Sequence, residues 1–243
     1  MKEVLAYIET KKQEFAKCEL FEYMRDTSIE PRQRLSWVPY IAPLSMGFGD
    51  LWKYVLRREN AADELQQMIN KHTREDENHW KWFPKDIKAL EFCQSFDFND
   101  SLLFIWSKDT TKARLLCLQI AMLTYNVESE ILLAAIETLE ATANITFATA
   151  AQVTNELKEI TSKNYPYFGN LHLIEDSSHS VFEQQQKEFI ENIKLTEKQE
   201  NECFEIIDII FDLFTECFND IMRITLDSNQ MVNAYISTES TVR

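Results

Sequence analysis

All four histidines of the 243-residue chain fall in two copies of one eight-residue pattern. The first copy runs from His72 to His79 and the second from His172 to His179, and both read H-x-x-E-D-x-x-H. Imidazole and carboxylate groups together are ligands that suit iron and manganese in proteins. The repeated spacing therefore predicts that both copies contribute ligands to one metal site.

A helix would bring the chemistry-bearing residues of each copy onto one face. At about 100° per residue, Asp76 lies near +40° and His79 near −20° from His72, with Glu75 at the edge near −60°. The second copy repeats this arrangement with its own four residues, His172, Glu175, Asp176 and His179. Two such helices facing each other would surround a pair of divalent ions. The alternative is a solvated polar face, the usual fate of a Glu-Asp pair.

A further carboxylate is expected from the apolar stretch 131–151. Dimetal sites in helical bundles combine Glu and His side chains from facing helices. Glu137 and Glu140 are three residues apart and so share a face of this stretch. A buried carboxylate requires a partner or a metal, so either glutamate is a candidate ligand. The alternative is a helix break that leaves both in solvent.

Composition excludes several classes of partner. Twenty-five Lys and Arg residues stand against 40 Asp and Glu, and the formal net charge is −15. Without a basic cluster we expect neither nucleic acid nor an anionic membrane as a partner. The three glycines, at positions 47, 49 and 169, make neither a P-loop nor a dinucleotide fingerprint, so no nucleotide cofactor is expected.

The location that the sequence predicts is cytoplasmic. The first residues lack the apolar core of a signal peptide, and no run of 18 apolar residues is present. Five cysteines without a CxxC pair suggest buried thiols in a reducing compartment.

So few glycines and prolines predict an all-α fold, because sheets need many tight turns. We expect one compact domain over 1–243, a bundle of about seven helices with a frayed tail at about 228–243. The expected helical segments are 2–25, 32–58 (irregular, interrupted by Pro39, Pro43, Gly47 and Gly49), 60–82, 85–94, 100–107, 111–163 with a break near Asn144, 170–194, and 197–225 after a capping box formed by Thr196 and Gln199.

The second copy, with the aromatic residues before it, resembles a known family. Tyr167-Phe168-Gly169-Asn-Leu-His172-x-x-x-Asp176-x-x-His179 is similar to the aromatic turn and ligand helix of the haem-oxygenase-like dimetal oxidases. The closer resemblance is to the chlamydial death-domain-associating protein and its relatives, the iron-containing redox enzymes. The first copy, followed by Trp80-Lys-Trp82-Phe83-Pro-Lys-Asp86, resembles the earlier ligand helix of that family, and Glu140 falls where its middle-helix glutamate is expected.

The resemblance implies a haem-oxygenase-like bundle that oxidises a small organic substrate with O2. It implies two divalent metal ions, iron before manganese, and no haem, since no histidine precedes position 72. The implied ligands are His72, Asp76 or Glu75, His79, Glu140 or Glu137, His172, Asp176 and His179. Many relatives have a glutamate where this chain has His72. Some relatives oxidise one of their own tyrosines, for which Tyr23 and Tyr40 are possible counterparts.

Other functions stay open at this point. The chain could be a non-catalytic member of the same fold that binds a ligand or a protein through a degenerate site. It could be a hydrolase that uses the metals to activate water, or a thiamine-salvage relative with Cys117 or Cys203 as nucleophile. A homodimer is a possible assembly, although no exposed apolar stripe stands out. The aromatic residues expected to line the cavity are Trp80, Trp82, Tyr125, Tyr167 and Phe168.

Overall fold

The computed structural model describes the backbone of residues 1–92, 97–178 and 183–239, and the side chains of these segments except those of 175–187 and 229–239. All regular structure in the described segments is helical, so the prediction of an all-α fold is confirmed. The α-helices are α1 (Lys2–Phe15), α2 (Glu19–Arg25), α3 (Pro31–Arg34), α4 (Ala42–Asp50), α5 (Glu64–Asp76), α6 (Phe83–Ala89), α7 (Phe98–Ile105), α8 (Thr111–Leu123), α9 (Ser129–Thr161), α10 (Asn170–Ser178), α11 (Glu183–Asn192) and α12 (Glu197–Glu239).

The segment between α2 and α5 is irregular, as predicted. Pro31, Pro39 and Pro43 each stand in the first turn of a helix, where the missing N–H would be unpaired in any case. The prolines divide the segment into α3, a 3₁₀ turn (Val38–Ile41) and α4, which continues into a π-helical turn (Leu51–Leu56). Because of such short pieces, the expected count of about seven helices is not confirmed.

The break expected near Asn144 is wrong. α9 runs without interruption from Ser129 to Thr161, and Asn144 lies on its exposed side, where a polar side chain needs no break. The chain instead turns between α8 and α9, where Asn126 takes a left-handed conformation (φ 56°). Asparagine tolerates this conformation better than most residues do. Asn126 therefore forms the turn, whereas Asn144 stays within the helix.

The capping box at the start of α12 is confirmed. The backbone N–H of Gln199 donates to the Thr196 hydroxyl at 3.2 Å, and the N–H of Thr196 donates to the Gln199 side chain at 2.9 Å. The helix is longer than predicted, because it continues past residue 225 to Glu239 and so enters the segment that we expected to fray.

α9 is the central helix and packs against α1, α2, α3, α5, α10 and α12. By length and composition alone it could cross a membrane, and 61% of its apolar window is buried inside the protein. Such burial on neighbouring helices is what the core helix of a folded domain shows. Glu140, one of its polar residues, is only partly exposed.

An apolar surface that the sequence analysis missed covers two adjacent helices. Side chains of α7 and of α8 with the turn after it are large, apolar and exposed; they are Phe98, Leu102, Leu103, Trp106, Leu115, Leu118, Met122 and Tyr125. The expectation that no exposed apolar stripe stands out is therefore wrong. Helical periodicity shows that a helix has an apolar face but not whether a neighbour covers it.

Candidate metal centre

α5 carries the beginning of the first histidine pattern. Asp63 begins the helix by accepting hydrogen bonds from two backbone N–H groups of the first turn, at 3.1 and 3.3 Å. The buried face of the helix includes Leu65, Ile69 and Thr73. His72 and Asp76, four residues apart, lie one turn from each other at the C-terminal end.

The first pattern does not lie on one helix, so that expectation is wrong. α5 ends at Asp76, and His79 begins a separate 3₁₀ turn. Arg57 stabilises this end of the helix, because its guanidinium bonds the Glu77 carboxylate at 2.5 Å. The turn nevertheless brings His79 back to the helix end, with its Nδ1 3.4 Å from Asp76 Oδ1.

Three side chains from two helices converge on one point. His72 Nε2 lies 3.1 Å from Asp76 Oδ2 and 3.2 Å from Glu140 Oε1. One ligand atom from each of the three lies within 4.8 Å of the others. This is the spacing of donors around a common cation, and one imidazole with two carboxylates is a set that suits iron or manganese.

The Asp76 carboxylate connects this cluster to a second imidazole. One oxygen faces His72 and the other faces His79. The side chains of Asp76 and His79 are only 12% and 13% exposed. The His79 ring stacks on Trp82 at 4.7 Å and meets the His172 ring edge to face at 4.8 Å. Asp76 is therefore placed where a carboxylate shared by two ions would be.

His172 enters from the second pattern in a defined tautomer. Its Nδ1 donates to the carbonyl oxygen of Tyr167 at 2.9 Å, which places the lone pair of a neutral ring on Nε2. Burial lowers the pKa of His172, and this effect outweighs the opposing hydrogen bond to Tyr167 and the charge of Glu140. A neutral imidazole held through its other nitrogen is the form that binds metals.

Asp86 holds the turn that positions His172, and the sequence analysis gave it no role. Its Oδ2 accepts the backbone N–H groups of Tyr167 and Phe168 at 3.1 and 2.8 Å. The residue is fully buried, and its Oδ1 has no hydrogen-bond partner among the residues that the structure describes. Burial raises the pKa of Asp86 to about 7, although the two N–H groups act in the opposite direction.

The pKa shifts within the cluster favour a positive charge between its carboxylates. Burial acts to lower the pKa of His72, but the adjacent carboxylates, Glu140 foremost, raise it to about 10. Burial acts to raise the pKa of Glu140, and the hydrogen bond and charge of His72 reverse this, so the net direction is downward. A proton on His72 Nε2 thus stands between two carboxylates, where a metal ion would replace it.

The cluster forms part of the wall of an apolar cavity. The space between its lining side chains is about 790 Å³ when the open solvent at its mouth is counted. Asp76, His79, Glu140 and His172 contribute its polar wall. The rest is mainly apolar, with contributions from α4, the π-helical turn, α9 and α12; examples are Leu44, Phe48, Trp52, Phe147, Phe214 and Phe218.

Two of the expected carboxylates lie outside the convergent group. The Glu75 side chain is 3.9 Å from Lys71. Glu137 acts on His72 only through its charge. Between Glu137 and Glu140, the structure brings Glu140 to the histidine. The side chain of Asp176 and the whole of His179 lie outside the described residues.

The expected aromatic lining is partly correct. Trp80, Tyr167 and Phe168 line the cavity, and Trp82 packs against the two histidine rings. Tyr125 does not contribute, because it lies exposed beyond the end of α8.

Neither tyrosine considered as a self-substrate lines the cavity. The Tyr23 hydroxyl donates to the carbonyl of Gln33 at 2.9 Å, and that of Tyr40 bonds Ser228 at 3.0 Å. Tyr167 is the tyrosine that the described cavity wall contains.

The two candidate nucleophilic cysteines are poorly suited to that role. Burial raises the pKa of Cys117 to about 12 and that of Cys203 to about 11. Both therefore stay thiols at neutral pH, whereas nucleophilic attack requires the thiolate. Neither residue lines the cavity described above.

No family model matches the chain, and no curated protein matches it significantly. A functional assignment therefore depends on what the site can do chemically. The wall of the apolar cavity offers two carboxylates and two imidazoles, and His72 bonds one of these carboxylates, Glu140. Such a set of donors can bind divalent metal.

Proposed function

We propose that this chain is a haem-oxygenase-like helical protein that holds two divalent metal ions, iron before manganese, and uses O2 to oxidise a small organic substrate. The observation that carries the proposal is the convergence of His72, Asp76 and Glu140, of which Asp76 and Glu140 line an apolar cavity. The resemblance of both histidine patterns to the iron-containing redox enzymes supports it.

The donor set divides between two ions. His72, Asp76 and Glu140 would hold the first. His79 and His172, whose rings are 4.8 Å apart, would hold the second, with Asp76 shared between the two. Asp176 and His179 complete the proposed ligand set.

The metal pair would supply activation of O2 for attack on a C–H or C–N bond. The chain's own residues orient the ligands and shape the space beside them. Tyr167 holds His172 through its carbonyl, and Trp82 stacks on His79, so neither ring needs to reorganise on binding metal. The apolar walls limit water beside the reacting atoms, which suppresses competing reactions.

The substrate class follows from the lining. Most of the cavity wall is aliphatic or aromatic, and its ionisable groups belong to the metal cluster, whereas Ser45, Thr142 and Thr146 add hydroxyl groups elsewhere on the wall. Such a pocket favours a small apolar or aromatic molecule whose reactive position faces the cluster.

Elemental analysis of purified protein tests the proposal, with Glu140→Gln and Glu137→Gln as matched variants. Both lie on α9 and each loses one negative charge, but only Glu140 bonds His72. Protein produced with iron, and separately with manganese, should carry close to two ions per chain. Glu140→Gln should lose metal and Glu137→Gln should keep it.

Measurement of O2 uptake then distinguishes an oxidase from a hydrolase or a binding protein. Protein loaded with ferrous iron under anaerobic conditions should consume O2 on mixing, and zinc-loaded protein should not. Hydrolytic activity with zinc and without O2 would favour the hydrolase instead. Absence of metal after anaerobic reloading, or equal metal in both variants, would contradict the proposal and favour a non-catalytic binding protein.

A further inference from the structure

One side of α8 presents large apolar side chains to solvent. Leu115, Leu118, Met122 and Tyr125 follow one another at intervals of three and four residues. At about 100° per residue, Leu115, Leu118 and Met122 fall within about 60° of the helix circumference, and Tyr125 follows in the turn just beyond the end of α8. The opposite side of α8 is buried against the protein through Ala113, Leu116 and Ile120, so the apolar stripe points away from the fold.

α7 extends this surface. None of its residues is buried, although its sequence is strongly apolar. Arg114 connects the two helices, since its guanidinium donates to the carbonyl oxygens of Ile105 and Ser107 at 2.8 Å and lies 5.6 Å from the Trp106 ring. Arg114 is also one turn before Leu118 on the stripe. We call the exposed sides of α7 and α8 together the α7–α8 face; its eight apolar side chains, between 43% and 80% exposed, are Phe98, Leu102, Leu103, Trp106, Leu115, Leu118, Met122 and Tyr125.

The last turns of α12 do not run along the α8 part of this face. Lys112, at the start of α8, bonds Glu216, whereas Glu128, beyond its end, bonds Gln199 near the start of α12. The two helices are therefore antiparallel. Ser228 bonds Tyr40, whose ring packs against Phe104 of α7, so α12 has already passed the beginning of α8 at this point and continues away from Met122 and Tyr125.

The area of the α7–α8 face matches what a dimer needs. With roughly 150–250 Å² for each aromatic side chain, the eight residues together present on the order of 900 Å². The largest apolar patch of a typical monomer is only about 300–600 Å². Each partner in an interface of standard size contributes about 800 Å².

We infer that a second copy of this chain packs on the α7–α8 face. An apolar surface is complementary to itself, as a twofold-symmetric interface requires. Arg114 is the one charged side chain within the α8 stripe. Surfaces that bind anionic lipid carry clusters of Lys and Arg, and a chain with a net charge of −15 is repelled by such lipid.

Sedimentation velocity over a range of concentrations tests the inference, with Leu118→Glu/Met122→Glu as the variant. Both side chains are exposed, so the substitutions leave the core intact. Ile160→Glu is the matched control, because Ile160 is an equally exposed apolar residue on α9, outside the face. Wild type and control should sediment at twice the chain mass of 28.7 kDa. The double variant should be monomeric, with dimer dissociation raised at least about 100-fold by the loss of two buried apolar contacts.

Three results would overturn the inference. Wild-type protein could stay monomeric at every concentration, or the double variant could dimerise like the control. Flotation with vesicles of neutral or of anionic phospholipid could show binding that the double variant loses, which would assign the face to lipid. Circular dichroism and the melting temperature establish that the variants are folded. None of these outcomes depends on how much metal the protein binds.

Discussion

At the residue scale, Asp86 is the most consequential group that the histidine patterns do not contain. A fully buried carboxylate is expensive when ionised, and burial therefore raises the pKa of Asp86 to about 7; within the described residues one of its oxygens has no hydrogen-bond partner. The other oxygen holds the backbone of Tyr167 and Phe168, and Tyr167 in turn holds His172. Asp86 thus supports the orientation of His172, a proposed ligand, through two successive hydrogen bonds.

Asp86 should make the protein less stable as pH rises. Because its folded pKa lies above the unfolded value near 4, its stabilising contribution is complete below about pH 4 and is lost as pH rises through about 7. Asp86→Asn keeps an acceptor for the two N–H groups but cannot ionise. Between pH 5.5 and 8, the free energy of unfolding of the variant should therefore rise by about 2 kcal/mol relative to wild type.

Urea unfolding at the two pH values measures this difference, and pH 5.5 stays above the pI of about 4.8. Asp212→Asn is the control, since Asp212 is an exposed carboxylate on α12. A difference between wild type and Asp86→Asn that does not change with pH would show that the Asp86 carboxyl stays in one protonation state throughout.

At the element scale, the turn between α9 and α10 is built around a close backbone approach. A Cβ atom at Gly169 would lie 2.3 Å from the carbonyl oxygen of Tyr165, and a backbone atom cannot move aside as a side chain can. At Gly47 the nearest atom is the Cys117 sulfur at 3.1 Å, the end of a small side chain. The two glycines therefore differ in what an added methyl group displaces.

Gly169→Ala should destabilise the protein by about 2–3 kcal/mol, whereas Gly47→Ala should cost less than about 1 kcal/mol. The same displacement moves the backbone that holds His172, so Gly169→Ala should also reduce bound metal. Urea unfolding and elemental analysis of both variants measure these effects. Equal stability and equal metal content in the two variants would contradict this account of the turn.

Helical spacing accounts for the parts of the site that lie within single elements. The four-residue interval predicted that His72 and Asp76 share a face, and the apolar sequence of α9 predicted that a carboxylate on it would have a partner, as Glu140 has in His72. Local spacing could not choose Glu140 over Glu137, since both lie on one face and the choice depends on where α5 crosses α9. Nor could it find Asp86, whose partners are more than 80 positions away.

Errors in the predicted elements have the same origin. Asn144 and Asn126 have the same intrinsic tendency to end a helix, and the packing around α9 decides between them. Similarly, the end of α5 depends on Arg57, which lies outside that helix and pairs with Glu77. Both outcomes depend on contacts that no window of sequence contains.

At the scale of the whole molecule, the candidate centre joins parts of the chain that are far apart in sequence. Its donors come from α5, the 3₁₀ turn after it, α9 and α10. Asp76 and Glu140 also add two carboxylates to a chain whose net charge is already −15. A divalent ion would tie these elements together and offset that local repulsion, so metal binding should be coupled to the stability of the entire fold.

Chelator-treated protein should therefore gain thermal stability when ferrous or manganous ion is added. At a free metal concentration 100 times the dissociation constant, a single site that binds only folded protein adds about 2.7 kcal/mol. For a chain of this size, that gain raises the melting temperature by roughly 5–10 °C.

Anaerobic calorimetry measures the shift for wild type, His72→Ala and Glu75→Gln. His72→Ala removes a ligand of the convergent cluster and should lose the shift, whereas Glu75→Gln alters a neighbouring carboxylate outside the cluster and should keep it. A shift in His72→Ala as large as in wild type would mean that the stabilising metal ion binds to other acidic residues and not to the cluster.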